Sequence, residues 1–113
     1  MSDHELLELA AKANGLLVKG WVGNRLVFFN PITESAEETW NPLTDDGDAL
    51  RLAVKLNIEL HLDLTVGSVI TAFMVGAVGR NTFEEVDDAQ GNPYIATRRA
   101  IVRAAANIGE SLS

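Results

Sequence analysis

Apolar positions change period along this chain, and the changes divide it into elements. From the N-terminus, Leu6, Leu9 or Ala10, and Ala13 recur at helical spacing behind a Ser2/Glu5 capping-box pair, which predicts a helix over about Asp3 to Ala13. Asn14-Gly15 stops it. Leu16 to Val22 and Arg25 to Phe29 then read as strands around Gly23-Asn24, a two-residue hairpin loop with glycine first. Asn30-Pro31 ends the second strand, and the polar run to Thr39 has neither period, so it is expected to be an exposed loop.

A second helix is expected from about Asp45 to Lys55, with Ala49, Leu52, Ala53 and Leu56 on one face. Asn41-Pro42 favours a turn before it, Thr44 can cap it, and Asp45, Asp46 and Asp48 place negative charge at the positive end of its dipole. Ile58, Leu60, Leu62 and Leu64 alternate with Glu59, His61 and Asp63, the pattern of a strand with one wet face. Ser68 to Val75 reads as a more buried strand, and Thr82 to Val86 as its partner across a connection at Gly76 to Gly79. Asn92 as cap with Pro93 at the first helical position opens a last helix, whose inward stripe is Ile101, Ala104, Ala105, Ile108 and Leu112.

The order is α-β-β-α-β-β-β-α, which leaves no room for repeated βαβ units. The expected fold class is therefore α+β, with a mainly antiparallel sheet of about five strands flanked by three helices. At 113 residues and 47% hydrophobic content, one domain closing a single core over 1–113 is expected. There is no cysteine, which removes disulfides and thiolate chemistry and fits a reducing compartment. Residues Val66 to Val78 form the most apolar stretch, but about a dozen residues fall short of the roughly 20 a membrane helix needs. The opening residues carry no positive, apolar leader. A cytoplasmic protein that engages no membrane is expected.

A formal net charge of −7 argues against direct nucleic-acid binding, which relies on basic residues displacing counterions from phosphates. The acids gather at Glu34, Glu37, Glu38, Asp45, Asp46 and Asp48, and again from Glu84 to Asp88. They read either as solvated loops and a helix N-terminus or as a surface that imitates phosphates for a protein partner, with Glu34, Glu37 and Glu38 as its candidate residues. Trp40 is a core anchor or a ligand-stacking residue. Arg98, Arg99 and Arg103 are the densest cations, and Arg99 and Arg103 lie one turn apart, so they either hold an anionic ligand or neutralise the chain's own acids.

Glu59, His61 and Asp63 share a strand face, but at roughly 7 Å intervals they need another element to share a metal ion. Asp45-Asp46-Gly47-Asp48 lacks the spacing of a calcium loop and is explained by capping. No phosphate loop, dinucleotide fingerprint, nucleophile elbow or zinc-protease motif is present. No metal, cofactor or catalytic residue is therefore assigned.

Two segments, Trp40 to Leu56 and Ala96 to Gly109, together resemble the small phage and prophage proteins of the phage ABA-sandwich domain, with a looser similarity to NinX-type proteins of lambdoid phages. The resemblance implies an ABA-sandwich-like fold and a non-enzymatic accessory protein acting in the bacterial host cell. Its expected partner is a host or phage protein, such as a component of host defence that it inhibits, and a homo-oligomer is expected. Alternatives are sequestration of an anionic small molecule or signalling nucleotide near Trp40, Arg98, Arg99 and Arg103, and a cryptic metal-dependent enzyme using His61.

Overall fold

The computed structural model describes the backbone of residues 2–30, 35–63, 69–74, 82–85 and 92–112, and the side chains of 2–29, 38–60 and 92–112. The first helix, α1 (Asp3–Ala13), begins where Ser2 accepts the Glu5 N–H at 3.2 Å. It ends as expected at Gly15, whose φ of +74° belongs to the left-handed region and lets the Leu16 N–H reach back to the Ala11 carbonyl at 3.0 Å. Strands β1 (Leu17–Val22) and β2 (Arg25–Asn30) form the anticipated antiparallel hairpin, with φ of +60° at Gly23. In β1 the register shifts between Val18 and Gly20, which leaves Lys19 in a bulge on a sheet edge. A charge and a bulge together blunt such an edge against further strand pairing.

The run expected to be a loop is partly a strand. β3 (Ser35–Trp40) pairs antiparallel with β2, so the first sheet has the order β1-β2-β3. Its side chains supply no apolar alternation beyond Ala36 and Trp40; pairing with the apolar β2, rather than its own pattern, makes it a strand. The helix α2 (Asp46–Leu56) then leads through Asn57, in the left-handed conformation at φ 56°, directly into β4 (Ile58–Asp63). β4, β5 (Val69–Met74) and β6 (Thr82–Glu85) make a second antiparallel meander in the order β4-β5-β6. The class is α+β with three helices, but the about five strands of the expected sheet are replaced among the described residues by six strands in two separate sheets of three. The Gly76 to Gly79 connection lies outside the described residues.

The last helix, α3 (Pro93–Ser111), is capped by Asn92, which accepts from the N–H groups of Tyr94 and Ile95. It is buried on two opposite faces. Ala96, Ala100 and Ala104 lie toward the second sheet together with Ile58 and Ile95, while Ile101, Val102, Ala105 and Ala106 join the main core with residues of α1, α2 and the first sheet. Small side chains explain how one helix fits between these neighbours. At Gly109 a Cβ would overlap the Leu9 backbone carbonyl, so α1 and α3 meet at a point only glycine permits. The expected stripe holds at Ile101, Ala104 and Ala105; Ile108 is half-buried, and Leu112, at the frayed C-terminus, is 59% exposed. Among the described residues no helix is long and apolar enough to cross a membrane.

Candidate functional site

In the first sheet Leu26 faces Trp40 and Phe28 faces Glu38, so these four residues share one side of the sheet. Leu26, Phe28 and Trp40 enter the main core with Leu52 of α2; Glu38 is the acid that breaks this apolar row. Where the row ends, the sheet and α2 stand apart and enclose an open groove of about 620 Å³. Its floor is Leu16, Phe28, Trp40 and Leu52, and its rim carries Asn14, Glu38, Thr39, Asp48, Arg51 and Lys55. The volume lies in the range of small-molecule sites; six of the ten lining residues are polar, and Phe28, Trp40 and Leu52 are buried.

The helix wall is set by one buried carboxylate. Asp48 is 7% exposed, and its Oδ2 accepts the backbone N–H of buried Asn41 at 3.0 Å and lies 3.5 Å from an Arg25 guanidinium nitrogen. Its Oδ1 accepts from Arg51 at 2.7 Å. Asn41 in turn donates through Nδ2 to the Asn24 carbonyl at 2.7 Å and accepts the Leu43 N–H at 2.9 Å, which ties the β1–β2 loop to the start of α2. Arg25 also donates to the Thr39 hydroxyl at 3.1 Å. The network fixes α2 against β2 and β3, so it fixes the groove's two walls relative to each other.

The helix cap lies one residue later than Thr44. Asp45 is the N-cap and accepts the Asp48 N–H at 2.9 Å, while Thr44 belongs to the preceding turn, its own N–H bonded to the Asn41 carbonyl at 3.2 Å. The Asp48 N–H bond holds the Asp45 carboxyl below the ordinary aspartate value; partial desolvation opposes this, and the Gly47 N–H with the charges of Arg25 and Arg51 adds to it. Arg51 and Lys55 lie one turn apart on the flank of α2 facing the groove, about 100° around the helix from exposed Leu50 and Val54.

Of the residues singled out in the sequence, Trp40 and Glu38 line this groove, and Trp40, 5% exposed, is anchored in the core. Glu34 and the Glu37 side chain lie outside the described residues. The three arginines of α3 do not converge. Arg98 turns toward α2, donating Nε to the Leu43 carbonyl at 2.8 Å and pairing with Asp46 at 2.6 Å. Arg99 turns toward α1 and meets Asp3 at 3.4 Å, and Arg103 is exposed one turn further on. The side chains of His61 and Asp63 lie outside the described residues, and among those described no cluster of histidine, aspartate and glutamate is arranged to hold a metal. The other histidine, His4, stacks on Trp21 at 3.8 Å between ring centres, and the Trp21 indole N–H donates to Glu8 at 3.3 Å.

Sequence reasoning passed over Asn14, Phe28, Asp48, Arg51 and Lys55 as site residues. The available signal was the four-residue spacing of Arg51 and Lys55 beside the inward stripe of α2. Comparison with protein-family models, with curated proteins and with solved structures finds no match to this chain.

Proposed function

We propose that this is a binding protein without catalytic chemistry, and that it takes a small organic ligand in the groove between the first sheet and α2. The observation that carries the reading is the groove itself, about 620 Å³ and open to solvent, with Arg51 and Lys55 along one wall. Asp48, the buried acid beside it, has both oxygens engaged by Asn41, Arg25 and Arg51, which suits a structural strut and leaves no free base. The phage or prophage accessory role, in the cytoplasm of the host cell, belongs to this proposal through the resemblance of Trp40 to Leu56 and Ala96 to Gly109. An ABA-sandwich-like fold rests on the same resemblance. The first of these segments supplies Trp40 and the whole of α2, and so half of the groove's ten lining residues. Sequestration of a small molecule is accordingly favoured over capture of a host defence protein.

The test uses the low-molecular-mass fraction of a bacterial lysate. Wild-type protein and Lys55→Glu are equilibrated with it, washed and denatured, and the released molecules are compared by mass spectrometry. Lys55 is exposed, so the charge reversal leaves the fold intact. A molecule enriched on wild type and lost from the variant is expected. Equal profiles from the two proteins overturn the proposal.

A further inference from the structure

We infer that Asn14 is a site of spontaneous deamidation, in which the Gly15 backbone nitrogen closes a succinimide ring on the Asn14 side chain and water opens it to aspartate or isoaspartate. The step balances with water alone. The Gly15 nitrogen bonds to the side-chain amide carbon and gives up its proton, and the amide nitrogen leaves as ammonia. One water then splits the ring, at the new bond to give aspartate or at the original peptide bond to give isoaspartate. Of the eight asparagines in the chain, Asn30, Asn41 and Asn92 precede proline, whose nitrogen carries no hydrogen and cannot close the ring. Asn24, Asn57, Asn81 and Asn107 precede Arg25, Ile58, Thr82 and Ile108, whose side chains crowd the attacking nitrogen. Asn14 alone precedes a glycine.

The local structure leaves the reacting groups accessible. Asn14 is half-buried at the end of α1, and its side-chain amide makes no hydrogen bond among the described residues, whereas the Asn41 amide is buried and bonded through both its oxygen and its nitrogen. Gly15 is exposed, and a Cβ built on it would meet nothing within 4 Å, so water reaches this turn from outside. The closed turn opposes the reaction in one respect. At ψ −2° Asn14 turns the Gly15 nitrogen away from its own side chain, and the Gly15 N–H is bonded to the Lys12 carbonyl at 3.1 Å. Ring closure therefore waits for the last turn of α1 to open, and helix ends open at little free-energy cost. The consequence falls on the groove, because Asn14 stands on its rim. An amide both donates and accepts hydrogen bonds, while the carboxylate that replaces it only accepts. Conversion adds one negative charge at the carbonyl end of α1, against the helix dipole, on a rim that already carries Glu38 and Asp48. The inference goes beyond the binding reading above and does not depend on a ligand.

The experiment ages the full chain, Asn14→Gln and a synthetic peptide of residues 12–17 side by side at 37 °C in 18O-labelled water, at pH 6.5 and at pH 8.5. Tryptic peptides are then weighed, and isoaspartate is labelled with an isoaspartyl methyltransferase. Conversion of Asn14 in the full chain is expected to be at least tenfold faster than that of any other asparagine, and slower than in the free peptide by the opening equilibrium of the turn. It should be at least fivefold faster at the higher pH, because the attacking nitrogen must lose its proton. The methyltransferase should label aged wild type and not aged Asn14→Gln, whose longer side chain forms the ring far more slowly. An intact Asn14 amide after the peptide has converted completely, faster conversion at another asparagine, or equal labelling of the two proteins overturns the inference. Conversion of Asn14 in a protein that retains no lysate molecule supports the inference while the binding reading fails.

Discussion

Replacing Asp48 by alanine removes the residue that holds α2 to the first sheet, and the loss can be worked out contact by contact. The Asn41 N–H, in a residue 2% exposed, loses the carboxylate oxygen that accepts it at 3.0 Å; a buried donor left unpaired costs roughly 1 to 3 kcal/mol. The ion pairs add less. Arg51 is 73% exposed and Arg25 37%, so solvent screens both and together they contribute below about 1 kcal/mol. Loss of a negative charge in the first turn of α2 adds about 0.3 to 1 kcal/mol through the helix dipole. The sum is about 1.3 to 5 kcal/mol, or a fall in Tm of roughly 5 to 20 °C at about 4 °C per kcal/mol for a domain of this size. Asp48→Asn keeps an oxygen for the Asn41 N–H and should lose only about 1 kcal/mol. Urea unfolding followed by tryptophan fluorescence measures both variants. An Asp48→Ala loss under about 0.5 kcal/mol, or an Asp48→Asn loss as large as that of Asp48→Ala, refutes the argument that the buried N–H dominates.

Trp40→Ala should cost about 3 to 5 kcal/mol in the same assay, as expected for a large aromatic 5% exposed in the core. Gly109→Ala should destabilise by about 1 to 3 kcal/mol or more because its Cβ meets the rigid Leu9 backbone rather than a side chain that can move, whereas relief by a compensating change at the Leu9 side chain is not expected. Arg99→Gln with Arg103→Gln should change stability by less than about 1 kcal/mol, the Arg99–Asp3 pair being exposed at 35% and 63%. Arg98→Gln, at 16% exposure and bonded to the Leu43 carbonyl, should cost about 1 to 3 kcal/mol, and calorimetric melts separate the two outcomes. The Asp45 carboxyl should titrate below its ordinary value of 3.8 when followed by carbon-detected NMR. Its capping contribution is then present at neutral pH and is lost only as pH falls through that depressed value, so a midpoint above 3.8 contradicts the cap geometry.

Most elements were legible because their apolar residues keep one period for two or three turns or for four strand positions. α1, the β1–β2 hairpin, α2 and α3 fall within a residue or two of the expected bounds, and the glycines at 15 and 23 sit where positive φ is needed. β3 was illegible for a physical reason: Ser35, Glu37, Glu38 and Thr39 carry no alternation, and only the partner strand makes this segment extended. The helix cap was displaced by one residue because Thr44 and Asp45 can both accept a backbone N–H, and only the path of the turn decides between them. The arginines of α3 drew attention by density, yet adjacent helical residues point about 100° apart, which sends Arg98 to α2 and Arg99 to α1. The groove gathers Asn14, Phe28, Glu38 and Lys55 from four separate elements and connections. No local pattern encodes such a meeting; it becomes visible once β3 pairs with β2 and Asp48 fixes α2 beside them.

The groove's role is tested most directly by mapping backbone amide shifts of the 15N-labelled protein as the low-molecular-mass fraction of a bacterial lysate is added. Binding between the first sheet and α2 predicts saturable shifts at Asn14, Phe28, Glu38, Thr39, Trp40, Arg51 and Lys55, absent in Lys55→Glu. Shifts confined to the surface around Arg99 and Arg103, or a spectrum that does not change, contradict it.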